Sequence, residues 1–229
     1  TGRMSFMPVR RQWKKQTQGP DKNELMSDKS YGNHIGIILL AGGESSRLGR
    51  PKQLLEYHGQ TLLQYSLQVA LNADAQPVIA VLGSDADKMQ KEINDTRVQV
   101  EVNSEWQEGM ASSIRCGIKA VAATSPTAEG VIIMVCDQPF VTTQLLNKLI
   151  TAHQETGKPI VASGYENTFG PPVFFHHSVF TELLQLKGDI GARSIIKQHA
   201  DEVEVVPFPD GAYDIDTEAD YETVKRNSE

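Results

Sequence analysis

Short apolar runs alternate with amphipathic segments along this chain, and the alternation begins abruptly at residue 35. Residues 35–41 are almost continuously apolar and end at a Gly-Gly pair, which is typical of a strand buried on both faces. Further strands are predicted over 77–82, 97–102 and 131–136, with helices over 61–71, 85–94, 110–123 and 142–155. This alternation predicts an α/β fold: a three-layer, mostly parallel, Rossmann-like sheet with helices on both faces.

After residue 159 the segments become shorter. The pattern predicts strands over 160–163, 172–175 and 202–208 and helices over 179–186 and 190–199, which we expect to be antiparallel additions and a sheet edge. A capping box at Thr217 starts a last helix. Residues 1–30 carry seven basic and three acidic side chains and few apolar ones, so residues 1–33 are expected to form a flexible basic extension of one domain, 34–229.

Charge and composition narrow the possible partners and location. The net charge of −7 over 229 residues disfavours nucleic-acid binding by the whole surface. The longest apolar run, 131–136, is far shorter than the ~20 residues of a membrane-spanning helix, so no membrane contact is expected. Two cysteines without zinc-site spacing, and no secretory signal, favour a cytoplasmic location.

The loop after the first strand is the first candidate for binding chemistry, because ligands of open α/β sheets bind at the carboxyl ends of the strands. Gly42 and Gly43 allow a sharp turn that brings backbone N–H groups close to an anion, and Arg47 and Lys52 add positive charge. Neither the G-x-x-x-x-G-K-[ST] nor the G-x-G-x-x-G spacing is present in this loop. The alternative is a mobile surface loop.

Carboxylates stand at two other positions that suit a metal. Asp137 follows the most apolar predicted strand, and a carboxylate near a triphosphate is repelled unless a cation such as Mg²⁺ lies between them. Asp137 could instead cap the turn before Pro139. Asp214 and Asp216 lie on the same side of an extended segment and could hold one metal, although Asp216 could simply stabilise the N-terminus of the last helix.

Three further segments combine turn residues with polar groups. Ser113 lies in the first turns of a predicted helix, where hydroxyls also act as ordinary caps. The segment 170–175 is rich in Gly, Pro and Phe, and 188–193 contains Asp189 and Arg193. Arg193 could bind a phosphate, since its guanidinium matches phosphate geometry, whereas Asp189 could serve only as a helix cap.

Taken together, these segments resemble the molybdenum-cofactor cytidylyltransferase-like (MobA-like) family of nucleotidyltransferases. Residues 39–52 resemble its signature L-A-[AG]-G-x-[SG]-x-R-[MLF]-G-x-x-K, which sugar-nucleotide and methylerythritol cytidylyltransferases share. Segments resembling C-D-x-P, D-x-D-T, G-x-x-x-S-[LIV]-x-x-G, G-x-P-x-x-F and G-D-x-G-A-R are also present, and the resemblance covers about residues 35–226. It implies the fold of nucleotide-diphospho-sugar transferases.

The resemblance also implies a role for each matching residue. Lys52 and Arg47 would be catalytic and hold the triphosphate, while Asp137 and Asp216 would bind Mg²⁺, with Asp214 as a second choice. The residues expected at the nucleotide are Leu40, Ala41, Gly42, Gly43, Ser113 and Gly117, and those expected at the acceptor are Pro172, Asp189 and Arg193.

The implied activity is transfer of CMP from CTP to molybdopterin or the molybdenum cofactor, with release of pyrophosphate. A molybdoenzyme or its chaperone is a further candidate partner. The first motif reads Leu-Ala-Gly-Gly, as in guanylyltransferases, rather than Leu-Ala-Ala-Gly, so CTP and GTP both remain open. Alternatives are guanylyl transfer to molybdopterin, transfer to a sugar or polyol phosphate, and a non-catalytic nucleotide-binding chaperone of the cofactor. The presence of Lys52, Asp137 and Asp216 counts against the last of these.

Overall fold

A seven-stranded sheet with helices on both faces organises the chain, in a computed structural model that describes residues 34–45 and 47–227. The predicted extension, 1–33, lies outside the described residues. The strands are β1 (Ile35–Ala41), β2 (Glu56–Tyr57), β3 (Gln60–Thr61), β4 (Val78–Leu82), β5 (Val98–Val102), β6 (Gly130–Val135), β7 (Ile160–Tyr165), β8 (Thr168–His176) and β9 (Val203–Pro207). The helices are α1 (Leu62–Leu71), α2 (Ala86–Gln90), α3 (Met110–Thr124), α4 (Thr143–Thr156), α5 (Phe180–Leu183), α6 (Arg193–Gln198) and α7 (Glu218–Asn227).

The main sheet has the strand order β5-β4-β1-β6-β8-β7-β9, while β2 and β3 form a separate hairpin. Strands β5, β4, β1 and β6 pair in parallel, β8 is antiparallel to both β6 and β7, and β9 is parallel to β7. Only β8 therefore runs against the others in this sheet. The predicted fold class, a mostly parallel sheet with helices on both faces, is confirmed. Of the segments expected as antiparallel additions, only β8 is antiparallel, since β7 and β9 run parallel to the first four strands.

β1 shows why the sheet is covered on both sides. All seven of its residues are buried, and they alternate between two apolar clusters. Ile37 packs in the cluster that contains α1, α4 and α7 residues, whereas Ile38 packs in the cluster of α3, α5 and α6. Because successive strand residues point to opposite faces, one apolar run supports two layers of helices.

Local capping explains where the long helices begin. Thr61 accepts from the backbone N–H of Gln64, whose side chain binds back to Thr61, so α1 starts with a complete capping box. Thr142 caps α4 by accepting from Leu145, and α4 ends at Gly157, whose φ of 67° suits glycine. No described helix is both long and apolar enough to cross a bilayer.

Three local expectations were wrong. The helix predicted over 85–94 is limited to α2, because Met89 is the only residue of that segment held in the core. The helix predicted over 190–199 is shortened to α6, because Gly191 lies against the Met110 side chain instead of entering the helix. The β2–β3 hairpin was not anticipated; His58 and Gly59 both adopt the positive φ that its tight turn requires.

Candidate active site

Three charged side chains meet at the carboxyl ends of β1 and β6. The Lys52 ammonium lies 2.5 Å from Asp137 Oδ2 and 3.0 Å from Asp216 Oδ1, so one cation bridges two carboxylates. Arg47 Nη2 lies 2.7 Å from the other oxygen of Asp216. The Lys52 side chain is 16% exposed and that of Arg47 is 69% exposed, which places lysine inside the cleft and arginine at its rim.

The loop that carries Lys52 is fixed by a buried glutamine. Gln53, 1% exposed, donates from Nε2 to the carbonyl oxygens of Ala41 and Gly43, at 3.0 and 3.1 Å. The Lys52 backbone N–H also donates to Ser45 Oγ at 3.1 Å. Because these bonds tie the loop to the end of β1, the lysine has a defined position next to the strand.

The two carboxylates come together through the backbone. Asp137 follows β6, and its carbonyl oxygen accepts from the Ile215 N–H at 3.0 Å, which brings the segment 214–216 alongside the strand end. Asp220 then fixes the start of α7 by accepting from the backbone N–H groups of Asp216 and Thr217, at 3.2 and 2.8 Å. Residues 79 positions apart in the chain thus reach one ammonium group.

The charges in this cluster shift one another's pKa. Burial alone would lower the pKa of Lys52, but Asp137 and Asp216 together raise it above its ordinary value. Burial opposes ionisation of Asp216 as well, but Lys52 and Arg47 hold its pKa below the ordinary value. Asp214 keeps part of its surface in solvent, yet desolvation and the nearby Asp137 raise its pKa to about 6. Lys52 is therefore charged at neutral pH, and Asp216 is ionised.

A first cavity, of about 360 Å³, opens between the glycine loop and the N-terminus of α3. Glycine suits position 42 because a Cβ there would lie 3.3 Å from the Gly83 backbone nitrogen, so a larger residue would be in close contact with the end of β4. The cavity combines backbone, aromatic and charged groups, among them Gly42, Gly43, Lys52, Trp106, Ser113 and Asp137.

A second cavity, of about 350 Å³, lies on the other side of Asp137. Its floor is apolar, and polar groups stand on its walls, among them Asp137, Gln138, Tyr165, Asp189, Arg193 and Asp214. Arg193 and Gln138 lie near the Tyr165 hydroxyl, whose pKa is raised above its ordinary value by burial. Five residues line both cavities: Leu40, Met110, Val135, Asp137 and Asp189. The two cavities are therefore neighbours that share a wall.

Most of the residues expected at the nucleotide and the acceptor line these cavities. Leu40, Gly42, Gly43, Ser113 and Lys52 line the first, and Asp189 and Arg193 line the second. Arg47 and Asp216 lie beside the first cavity without lining either of the two.

Three residues expected at the nucleotide or the acceptor also line neither cavity. Ala41 is buried and contributes only its carbonyl oxygen, to Gln53. A Cβ on Gly117 would overlap Ile38, so this glycine lets α3 pack against β1, and it does not line the first cavity. Pro172 turns its carbonyl oxygen to Ser163 Oγ, at 2.7 Å, while the neighbouring Pro171 lines the second cavity.

Sequence reasoning missed Gln53, Trp106 and Tyr165. Gln53 directly follows the lysine of the first motif and was passed over because neutral amides carry no charge signal. Trp106 lies four residues before the α3 motif, and Tyr165 ends β7. Their positions at strand ends and helix starts were the available signal, since those are the places where α/β folds bind ligands.

The donor set suits a divalent cation that arrives with a phosphate ligand. Among the described residues no group of three or more His, Cys, Asp and Glu side chains could hold a metal by itself. Asp137 and Asp216 nevertheless reach the same ammonium, so they can share a cation. Mg²⁺ in phosphate-transfer sites is usually held by one or two carboxylates together with substrate phosphates. Two carboxylates next to a phosphate cleft therefore fit such an ion.

Relatives with full-length similarity share this architecture. The chain is 30% identical over 191 residues to nicotine blue oxidoreductase of Paenarthrobacter nicotinovorans, covering 79% of this chain and 91% of the relative. It is 29% identical over 207 residues to purine catabolism protein PucB of Bacillus subtilis (strain 168), covering 84% and 96%. The manganese complex of Rv0371C from Mycobacterium tuberculosis H37Rv superposes with a TM-score of 0.71 at 29% identity, covering 84% and 98%.

The family match covers the elements that build both cavities. The model of the MobA-like NTP transferase domain matches residues 37–203, which run from β1 to the start of β9. This range includes Lys52, Asp137 and Arg193 but ends before Asp216. The chain therefore belongs to the MobA-like NTP transferase family.

Proposed function

We propose that this protein transfers CMP from CTP to the phosphate of a molybdopterin-type acceptor and releases pyrophosphate. The observation that carries the proposal is the shared wall at Asp137, which puts two neighbouring cavities on either side of one carboxylate. A transfer between two substrates needs both of them bound next to each other, with the reacting groups at the boundary.

The first cavity supports a nucleoside triphosphate as donor. Gly42 and Gly43 let a ligand approach the backbone closely, and Lys52 supplies a fixed positive charge inside the cleft. Arg47 at the rim supplies a second one. A triphosphate would exchange the carboxylate partners of both side chains for phosphate oxygens, with Asp137 and Asp216 left to hold the divalent cation.

The second cavity supports an acceptor that combines a phosphate with a flat ring system. Arg193 is available for a phosphate, since its guanidinium can bind two oxygens at once. Ile114, Val173 and Phe175 form apolar surface that suits a ring. Tyr165 lines the same cavity and lies near Arg193.

The chemistry asks little of the protein beyond position and charge. An oxygen of the acceptor phosphate attacks the α-phosphorus in line, the bond from the α-phosphorus to the bridging oxygen breaks, and pyrophosphate leaves with that electron pair. No general base is needed, because a phosphate monoester has a second pKa of ~6 and is largely ionised at neutral pH. Lys52 and Arg47 neutralise charge that moves onto the leaving group. A Mg²⁺ held by Asp137 and Asp216 would supply further charge neutralisation at the phosphates.

The base is proposed to be cytosine, and guanine is the main alternative because of the Leu40-Ala41-Gly42-Gly43 sequence. A sugar or polyol phosphate would change the acceptor but keep the same chemistry. Nicotine blue oxidoreductase is among the relatives, but the loop after β1 does not have the G-x-G-x-x-G spacing of dinucleotide-binding sites.

The test is a substrate matrix with pyrophosphate as the readout. Purified protein is incubated with one acceptor (molybdopterin, a sugar phosphate or a polyol phosphate), Mg²⁺ or Mn²⁺, and one of CTP, GTP, ATP or UTP. We expect pyrophosphate and a molybdopterin dinucleotide with CTP. Turnover with GTP alone would replace the base assignment, and turnover only with a sugar or polyol phosphate would replace the acceptor. Tight nucleotide binding without any turnover would instead favour a non-catalytic carrier of the cofactor.

A further inference from the structure

We infer that Trp106 is the stacking surface for the nucleobase, a role that rests on the proposed nucleotidyl transfer and specifies how its donor is held. Trp106 is half-buried and lines the first cavity together with Lys52 and Ser113. It lies in a short 3-10 turn, Trp106–Glu108, between β5 and α3. The position of this turn relative to Lys52 decides which part of a bound nucleotide it can contact.

The sheet order separates the two ends of the cavity. Asp137, which pairs with Lys52, follows β6, whereas Trp106 follows β5, and β1 and β4 lie between these two strands. Three strand spacings of about 4.8 Å put the two strand ends about 14 Å apart. Gly42, at the end of β1, lies between them. A nucleotide whose phosphates reach Lys52 must therefore extend over Gly42, and its base then lies on the side of β4 and β5.

The backbone holds Trp106 firmly at that side. Its N–H donates to the Asn103 carbonyl oxygen at 3.3 Å, and its own carbonyl oxygen accepts from Gly109 at 3.1 Å. A Cβ on Gly83 would lie 2.7 Å from Trp106 Cβ and 2.6 Å from the Gly42 carbonyl oxygen. Glycine at position 83 is thus what lets the tryptophan lie directly against the ends of β4 and β1.

The residues at this end match the chemistry of a base rather than of phosphates. The positive charge of the cavity comes from Lys52, and its lining also includes glycine backbone, Met110, the Ser113 hydroxyl and the Asp189 carboxylate. An aromatic face binds any base, because every base has a π-face. Trp106 therefore contributes to binding of all four nucleotides, and selection among them falls to groups that reach the edge of the base.

The chain offers a direct readout, because its only two tryptophans are Trp13 and Trp106. In the Trp13→Phe protein all indole emission comes from Trp106. We expect CTP and GTP with Mg²⁺ to change this emission on binding. Inorganic tripolyphosphate, which has no base, should bind at the Lys52 end and leave the emission unchanged. Calorimetry on the same samples measures each affinity independently of the fluorescence.

Two substitutions complete the test. Trp106→Ala should weaken CTP and GTP about tenfold or more and leave tripolyphosphate affinity within about twofold, as expected for loss of one stacked base. Trp106→Phe keeps an aromatic face and should retain CTP affinity within about threefold. A thermal melt of each variant shows that it is folded.

Three results would overturn the inference. CTP could bind by calorimetry without any change in Trp106 emission. Trp106→Ala could weaken CTP and tripolyphosphate equally, which would show general disruption of the cleft. Trp106→Ala could also bind CTP like the parent. In each case nucleotide binding is intact and the proposed function stands, whereas failure of every nucleotide to bind the parent would overturn both.

Discussion

The two halves of the sheet are built differently on either side of Asp137. On one side β5, β4, β1 and β6 are all parallel, and long helices, α1 and α3, cover them. On the other side β8 is reversed; the 14-residue α4 covers one face, but α5 and α6 on the opposite face have only four and six residues. The first half carries the glycine loop and Lys52, and the second carries Tyr165 and Arg193. We call the first the regular half and the second the irregular half. The regular half holds the residues proposed to bind the phosphates, and the irregular half lines much of the second cavity, which is proposed to bind the acceptor.

Removing the carboxylate at the boundary should have the largest effect. Asp137→Asn keeps the shape of the side chain but removes one of two charges proposed to hold the cation, so pyrophosphate release should fall about 10²–10³-fold or more. Steady-state pyrophosphate assays check this. Asp210→Asn, at an exposed position in the turn after β9, is the control and should keep full activity. Wild-type turnover by the Asp137→Asn protein would overturn the metal assignment.

Substitutions on the two sides should affect different substrates. Lys52→Met should lower kcat/KM for the nucleotide about 10²-fold, because it removes the charge inside the first cavity. Arg193→Gln should raise KM for the acceptor about tenfold and leave KM for the nucleotide within about twofold. Initial rates with each substrate varied in turn measure both. If Arg193→Gln weakened the nucleotide instead, the assignment of the cavities would be reversed.

A substitution at Gly117 tests whether this residue serves helix packing or base recognition. Gly117→Ala should destabilise the protein by about 1–3 kcal/mol, since the added methyl group overlaps Ile38. The double variant Gly117→Ala with Ile38→Ala should lose less stability than the sum of the two single changes, because the smaller residue makes room. Urea unfolding measures all four proteins. A folded Gly117→Ala protein of unchanged stability but altered base preference would restore the role expected from the sequence.

The smallest predicted effect is a pH-dependent change in stability at His199, in the irregular half. His199 Nδ1 lies 2.7 Å from Glu202 Oε2, and its Nε2 lies 3.0 Å from Glu182 Oε2. These carboxylates raise the pKa of His199 above its ordinary value, so its contribution to stability is complete below that ordinary value and is lost as pH rises through the folded-state pKa.

His199→Gln should accordingly destabilise the protein by about 0.5 kcal/mol near pH 5.5 and by almost nothing near pH 9, because solvent screens the two glutamates, whose side chains are 38% and 57% exposed. Urea unfolding at the two pH values measures the difference. His177→Gln, at an exposed histidine, is the matched control. An equal loss at both pH values would indicate that His199 acts through packing.

The sequence predicted strands that are buried on both faces better than elements whose ends depend on distant contacts. Residues 35–41 are apolar at every strand position and match β1 to the residue, because a strand buried on both faces has an unambiguous pattern. The predicted helix over 190–199 was too long, since its start depends on contact between Gly191 and Met110, which are 81 positions apart. Tertiary contacts of that kind leave no local signal.

The residues of the candidate site also differ in whether the sequence alone can identify them. The charged residues of the motifs, Lys52 and Asp137, could be selected because charge and position after a strand both point to chemistry. Gln53 could not, because its importance comes from burial and from two backbone carbonyls that it reaches only in the folded chain. The resemblance points to Pro172, whereas Pro171 lines the second cavity; neighbouring strand residues face opposite sides, and the sequence alone does not show which side faces the cavity.

The short hairpin between β7 and β8 offers a way to change the second cavity alone. Tyr165 and Gly170 both line the second cavity, and they stand on arms joined by only Glu166 and Asn167, each with positive φ. Inserting or deleting one residue in so tight a turn would shift the wall of the second cavity and leave the glycine loop after β1 untouched. Anyone who wishes to redesign this scaffold for a new acceptor could therefore graft turns here while the phosphate-handling machinery stays as it is.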